Sequence, residues 1–145
     1  MNKRSRSTLF LIEQLIVIAV FAICSAACAR ILTSAYLTAK ESKDLSNAIL
    51  IAENAAESYK AVAGDIGKVV ELLGGTADKS GNGVTAIIYY NKHWQVCEKE
   101  EADYSLHLIN KGPETRSPTL LSGEIRVEKL TGQELTTFSI AARSS

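Results

Sequence analysis

Glu13 is a carboxylate set inside an apolar run, Leu9-Phe-Leu-Ile-Glu-Gln-Leu-Ile-Val-Ile-Ala-Val-Phe-Ala-Ile-Cys24, and no other residue so plainly calls for a chemical role. A charge at the centre of a membrane-spanning helix costs roughly 2.5–3.5 kcal/mol on insertion scales. In the second turn of such a helix the carboxylate approaches the headgroups, where the cost falls. One reading is therefore an interfacial Glu. The other is a carboxylate that pairs with a cation inside the membrane.

The other groups capable of chemistry are scattered. Cys24 and Cys28 are four residues apart on one face of the apolar helix, and Cys97 stands alone. No disulfide framework follows, and packing is the expected role of all three. His93 and His107 fall on expected strands as exposed side chains rather than ligands. Asp78, Ser80 and Asn82 have a calcium-loop spacing, but with one acid and no downstream bidentate Glu they read as a solvated loop. There is no His/Cys cluster at metal spacing, no Gly-rich phosphate loop after a strand and no Gly-x-Ser-x-Gly. Ser and Cys nucleophiles have no sequence-visible partner. No catalytic residue, metal or cofactor is expected, and the chain does not read as an enzyme. Trp94 with Tyr89, Tyr90 and Tyr104 could form a surface aromatic patch, although half-buried strand aromatics are commoner.

Sixteen basic and sixteen acidic residues cancel over the 145-residue chain, but unevenly. The first thirty residues are net basic and the remainder net acidic. An acidic outer domain without a basic stripe argues against a nucleic-acid partner. The length suits one small domain plus a membrane helix.

Four segments follow. Residues 1–8 form a basic leader containing Lys3-Arg4-Ser5-Arg6. Residues 9–29 are long and apolar enough to cross a hydrocarbon core of about 30 Å. The basic stub and the long domain beyond set the N-terminus inside and the rest outside. Residues 30–64 continue the helix, since no Pro or Gly interrupts the chain between Thr8 and Ala63. A continuous helix of that extent runs roughly 84 Å. Leu45, Ile49, Ala52, Ala56, Tyr59 and Ala63 recur as one apolar stripe, with Lys43, Asp44, Glu53, Glu57 and Lys60 left for solvent or neighbours. Such a stripe needs a partner to be stable in water.

Residues 65–145 supply it. Gly64 ends the helix, Asp65 caps a short second helix to Leu73, and Gly74-Gly75 stop that one. Thr76–Gly83 reads as a flexible loop. Val84–Tyr90 and His93–Cys97, joined by Asn91-Lys92, read as a hairpin. Glu98–Asp103 is a charged loop. Tyr104–Asn110 alternates, with Tyr104, Leu106 and Leu108 on one side. Lys111–Ser122, with Pro113 and Pro118, reads as irregular. Gly123–Leu130 follows with Ile125 and Val127 inward, and Leu135–Ala142 is the last strand. The expected fold class is α+β: a long N-terminal helix packed on a small antiparallel sheet.

Leu9-Phe-Leu-Ile-Glu13, followed by an unbroken apolar helix, resembles the N-terminus of type IV pilins and of the pseudopilins of type II secretion. In that family a short basic leader precedes a cleavage site, and the mature chain opens apolar with Glu fifth; counted from Leu9, Glu13 is fifth. The resemblance implies cleavage between Thr8 and Leu9 by a prepilin peptidase and N-methylation of Leu9. It also implies pairing of Glu13 with the N-terminal amine of a neighbouring subunit. Thr8 stands where the family has Gly. What it implies for the whole is a bacterial, single-pass structural protein of the cell membrane. Such a subunit is stored there and assembles with like subunits or other pilin-like proteins into a filament or secretion pseudopilus. The calcium-site loop of major pseudopilins and the paired-cysteine loop of many pilins are not evident.

Two further leader readings stay open. Ala27-Cys28-Ala29 is a small-x-small signal peptidase site after an apolar core, and Ser25-Ala26-Ala27-Cys28 loosely resembles a lipoprotein box. Either leads to a monomeric, anchored, released or lipidated extracytoplasmic binding domain. Both leave Glu13 unused.

Overall fold

A computed structural model describes residues 3–78, 84–114 and 117–143. By contacts the chain divides into two compact units, residues 1–42 and 43–145. Helix α1, Lys3–Ala61, supplies all the described secondary structure of the first unit and opens the second. In the first unit every side chain from Ser7 onward is exposed, and the segment is long and apolar enough to cross a membrane.

In the second unit the helix buries one face. Ala48, Ala52, Ala55 and Tyr59 are fully buried and Ala56 nearly so. The stripe expected from the sequence is therefore half right. Ala52, Ala56 and Tyr59 are inward, but Leu45 and Ile49 remain 42 % and 39 % exposed. Asp44, left for solvent or a neighbour, is buried beside Lys129. The physical reason is close approach: a face of alanines lets the helix axis come nearer the sheet than leucine and isoleucine would allow, so the larger residues are turned aside.

The helix ends where Gly64 adopts φ 83° and its N–H donates to the Tyr59 carbonyl at 2.9 Å. A side chain there would meet Leu121 Cδ1 at 2.7 Å, so glycine serves both the turn and the packing. Helix α2, Ile66–Leu73, starts on the Asp65 carboxylate, which accepts from Gly67 and Lys68 N–H, and stops at left-handed Gly74. Both caps are where the sequence puts them.

Among the described residues five antiparallel strands form one sheet in sequence order: β1 Thr76–Asp78, β2 Thr85–Tyr90, β3 Tyr104–Glu114, β4 Ser117–Lys129 and β5 Glu134–Arg143. The α+β class holds. Three expectations about strands do not. Thr76–Asp78, read as loop, pairs with β2, Thr76 opposite Ile87; residues 79–83 of that loop, with Ser80 and Asn82, lie outside the described residues. His93–Cys97 is not a strand. The Asn91 side chain accepts from the His93 and Gln95 N–H groups, curling the chain into a turn. Beyond it pairing is limited to a Tyr90–Val96 bridge, with the Asn91 N–H donating to Gln95 and the Cys97 N–H to Tyr89. Lys111–Ser122 is not irregular in its described residues, which belong to the paired strands β3 and β4; residues 115–116 lie outside the described residues. Two register shifts, at Asn110/Gly112 and Pro113/Glu114, absorb Pro113. Proline fits a strand at such a bulge, where no ladder donor is missed.

The core lies between α1 and one sheet face. Ile88, Leu106, Leu108, Ile125 and Val127 are fully buried there, in the alternation expected for β3 and β4. Asn110 joins the sheet to the helix end. Its Oδ1 accepts from Gly112 N–H at 2.9 Å across the bulge, and its Nδ2 donates to the Gly64 carbonyl.

Candidate functional site

The three residues singled out for processing and assembly lie together on the exposed N-terminal part of α1. Thr8 and Leu9 are consecutive helical residues, and Leu9 is 59 % exposed. Glu13 stands one turn beyond Leu9 and is exposed. Positions four apart on a helix share a face, so Glu13 and Leu9 present one strip with the carboxylate next to the apolar side chain. Cys24 and Cys28 are also exposed, unpaired thiols on this segment. In a membrane, an exposed carboxylate on a largely apolar, unburied helix segment either rests at the headgroups or attracts a cation or donor brought by another group.

The second unit has a polar cluster that the sequence did not disclose. Asp44 sits at the start of the docked part of α1, and Lys129 Nζ approaches its Oδ2 to 3.2 Å from the end of β4. The approach is off the line a hydrogen bond requires, so Oδ2 is held by charge alone. The Tyr104 hydroxyl donates to the same carboxylate. Burial first, then that bond and the Asp44 and Asp103 charges, push Tyr104 up to about 12. Trp94 stacks on Tyr104 with ring centroids 4.0 Å apart, and its backbone takes φ 62° to get there. Tyr90 and Tyr104 are buried and Trp94 and Tyr89 half-buried, so there is no surface aromatic patch. The cluster clasps helix to sheet.

The opposite sheet face carries a charged lattice. Glu124 bridges Lys111 and Arg126, the latter at 2.8 Å, and these two cations hold its carboxyl below the usual range. Arg126 Nε is buried with Glu134 at 3.8 Å. His107, expected exposed, is half-buried, with Nε2 at 3.1 Å from Ser105 Oγ and 3.3 Å from Glu128 Oε1. A serine–histidine–carboxylate relay needs the two ring nitrogens to serve the two partners separately. Here one nitrogen faces both, so the arrangement cannot activate Ser105. Burial lowers the His107 pKa, Glu128 opposes that and Arg126 reinforces it. His93 lies exposed in the Asn91 turn rather than on a strand. Among the described residues no group of three or more His, Cys, Asp or Glu side chains could hold a metal ion.

Comparison with known proteins returns no matching family model, no matching curated protein and no matching solved structure.

Proposed function

We propose that this chain is a pilin-like or pseudopilin subunit. It is held in the membrane by the apolar part of α1, N-terminus in the cytoplasm and sheet domain outside, and assembles with like subunits or other pilin-like proteins through that helix. The observation that carries the reading is Glu13, an exposed carboxylate one turn from Leu9 on a helix segment with no buried side chain. The α+β order supports it, because the same helix that carries Glu13 goes on to cover a small antiparallel sheet. In this reading a prepilin peptidase cuts between Thr8 and Leu9, and Glu13 pairs with the new amine of a neighbour. The role is structural, not catalytic.

Glu13→Ala, Glu13→Gln and Thr8→Gly test it together, read by intact mass and by the yield of cross-linked oligomer. Glu13→Ala should insert as well as the parent or slightly better, because a desolvated charge is gone. Its oligomer yield should collapse. Glu13→Gln should fail nearly as badly, since size is kept and charge lost. Thr8→Gly should speed the loss of the leader. If Glu13→Ala assembles like the parent, the carboxylate is an interfacial passenger and the monomeric anchored domain takes over.

A further inference from the structure

We propose that the free edge of β5 takes up an extended, basic peptide strand from a partner protein, seated in the groove between β5 and α1. This goes beyond subunit assembly through the membrane helix and does not depend on it. β5 is the last strand of the sheet, so along its outer side alternate N–H and C=O groups have no ladder partner within the sheet. Natural sheets guard such edges with lysine, proline, bulges or short length. Charges at Glu134 and Arg143 and a register shift at Leu135 guard only the ends of β5, and Thr136–Ala142 between them has no charge, no proline and no glycine. An edge left open over that stretch is a template for strand addition.

The groove beside it says which strand. It measures about 690 Å³ and is walled by Phe138–Ala141 on one side and by Glu53, Ala56, Glu57 and Lys60 on the other. Both walls run about 10 Å, from the rise of a strand and of a helix. Glu53 and Glu57 are exposed like charges one turn apart, an arrangement that destabilises an isolated helix. Among the described residues neither has an ion pair; Lys60, three residues past Glu57 on the same wall, lies beyond the two carboxylates and leaves the groove net acidic by one charge. Their spacing along the helix is about 6 Å. Side chains at i and i+2 of a strand are about 6.8 Å apart on one face. A strand added to β5 therefore brings two alternate side chains over Phe138 and Ile140 toward the two carboxylates. Lysine or arginine suits both halves of that path, with the aliphatic stem on the apolar strand residues and the cation at the glutamates. Backbone bonds supply affinity, and the alternating cations supply specificity.

The experiment uses the full-length protein in detergent micelles at low salt, with a blocked, fluorophore-tagged peptide of alternating Lys and Thr. Fluorescence anisotropy should show binding, and the β5 amides around Phe138–Ala141 should gain hydrogen-exchange protection. Replacing the peptide's Lys by Glu should abolish binding. Glu53→Gln and Glu57→Gln should each weaken it about threefold, as for exposed ion pairs. N-methylation of alternate amides on the peptide edge that meets β5, which leaves the protein untouched, should weaken it at least about tenfold. Absence of binding, equal binding of the N-methylated peptide, or protection confined to residues outside β5 overturns the proposal.

Discussion

Substituting Asp at Ala52 and, separately, at Ile49 tests which face of α1 holds the sheet. Ala52 is fully buried between Ala48 and Ala56, whereas Ile49 is 39 % exposed on the neighbouring face. At Ala52 the new carboxylate would enter the buried hydrophobic cluster, and leaving a buried charge unpaired costs several kcal/mol. The larger side chain adds about 1–3 kcal/mol of overpacking, because the alanine face sets the helix–sheet distance. The sum, about 4 kcal/mol or more, is comparable with the whole stability of a small domain. At Ile49 the charge stays hydrated. The loss is then part of the roughly 1.5–3 kcal/mol for burying an isoleucine, close to 1 kcal/mol. Trp94, the single tryptophan, stacks on Tyr104 and reports this domain without interference from the apolar part of α1. Its fluorescence against urea should show a shallow shift for Ile49→Asp and a domain already unfolded without urea for Ala52→Asp. Equal effects of the two, or a native midpoint for Ala52→Asp, would refute the helix face described here.

Asp44→Asn should destabilise the domain by about 1–2 kcal/mol, less than the 3–5 kcal/mol typical of a broken buried pair, because Lys129 is 23 % exposed and can turn to water. Urea midpoints measure this. In the same variant the Tyr104 hydroxyl should titrate closer to the ordinary tyrosine value, read by ultraviolet difference absorption. For His107 the lowered folded pKa means that the unfolded chain binds the proton more readily. Stability should therefore be full above the unfolded value near 6.5 and fall as pH drops below it. His107→Gln should flatten that part of the urea-midpoint profile; a midpoint rising on acidification in the parent would contradict the sign.

Much of this fold can be read directly. Alternation places Leu106, Leu108, Ile125 and Val127 correctly, and glycine and Asp65 mark both helix ends, because these signals are local. What escaped depends on partners far along the chain. Periodicity alone ranks Leu45 and Ile49 above Ala48 and Ala55 as core, and only the nearness of the sheet reverses the order. Asp44 reads as open to solvent or a neighbour until Lys129 and Tyr104 decide it. His93–Cys97 has strand-like residues, yet the Asn91 side chain satisfies two backbone donors locally and Trp94 finds Tyr104. Glu13 announced itself because apolar neighbours surround it in sequence. The β5 edge did not, since an edge strand is defined by the absence of a neighbour.

Polar attachments at the two ends of the docked part of α1 have a mechanical consequence. Asp44 is held by Lys129 and Tyr104 at the start of the docked helix, and Asn110 holds the Gly64 carbonyl just past its end. Between Asp44 and Tyr59 lies about 22 Å of helix. A tension applied to Lys43 along the helix axis meets both attachments and the alanine face in parallel, so the segment is loaded in shear instead of being peeled one contact at a time. Pulled from that end in an optical trap, the domain should yield in one abrupt high-force event. A gradual, stepwise extension would mean that the Asp44 attachment gives way alone. A domain fastened in this manner can be pulled from the Lys43 end of its helix and stay folded.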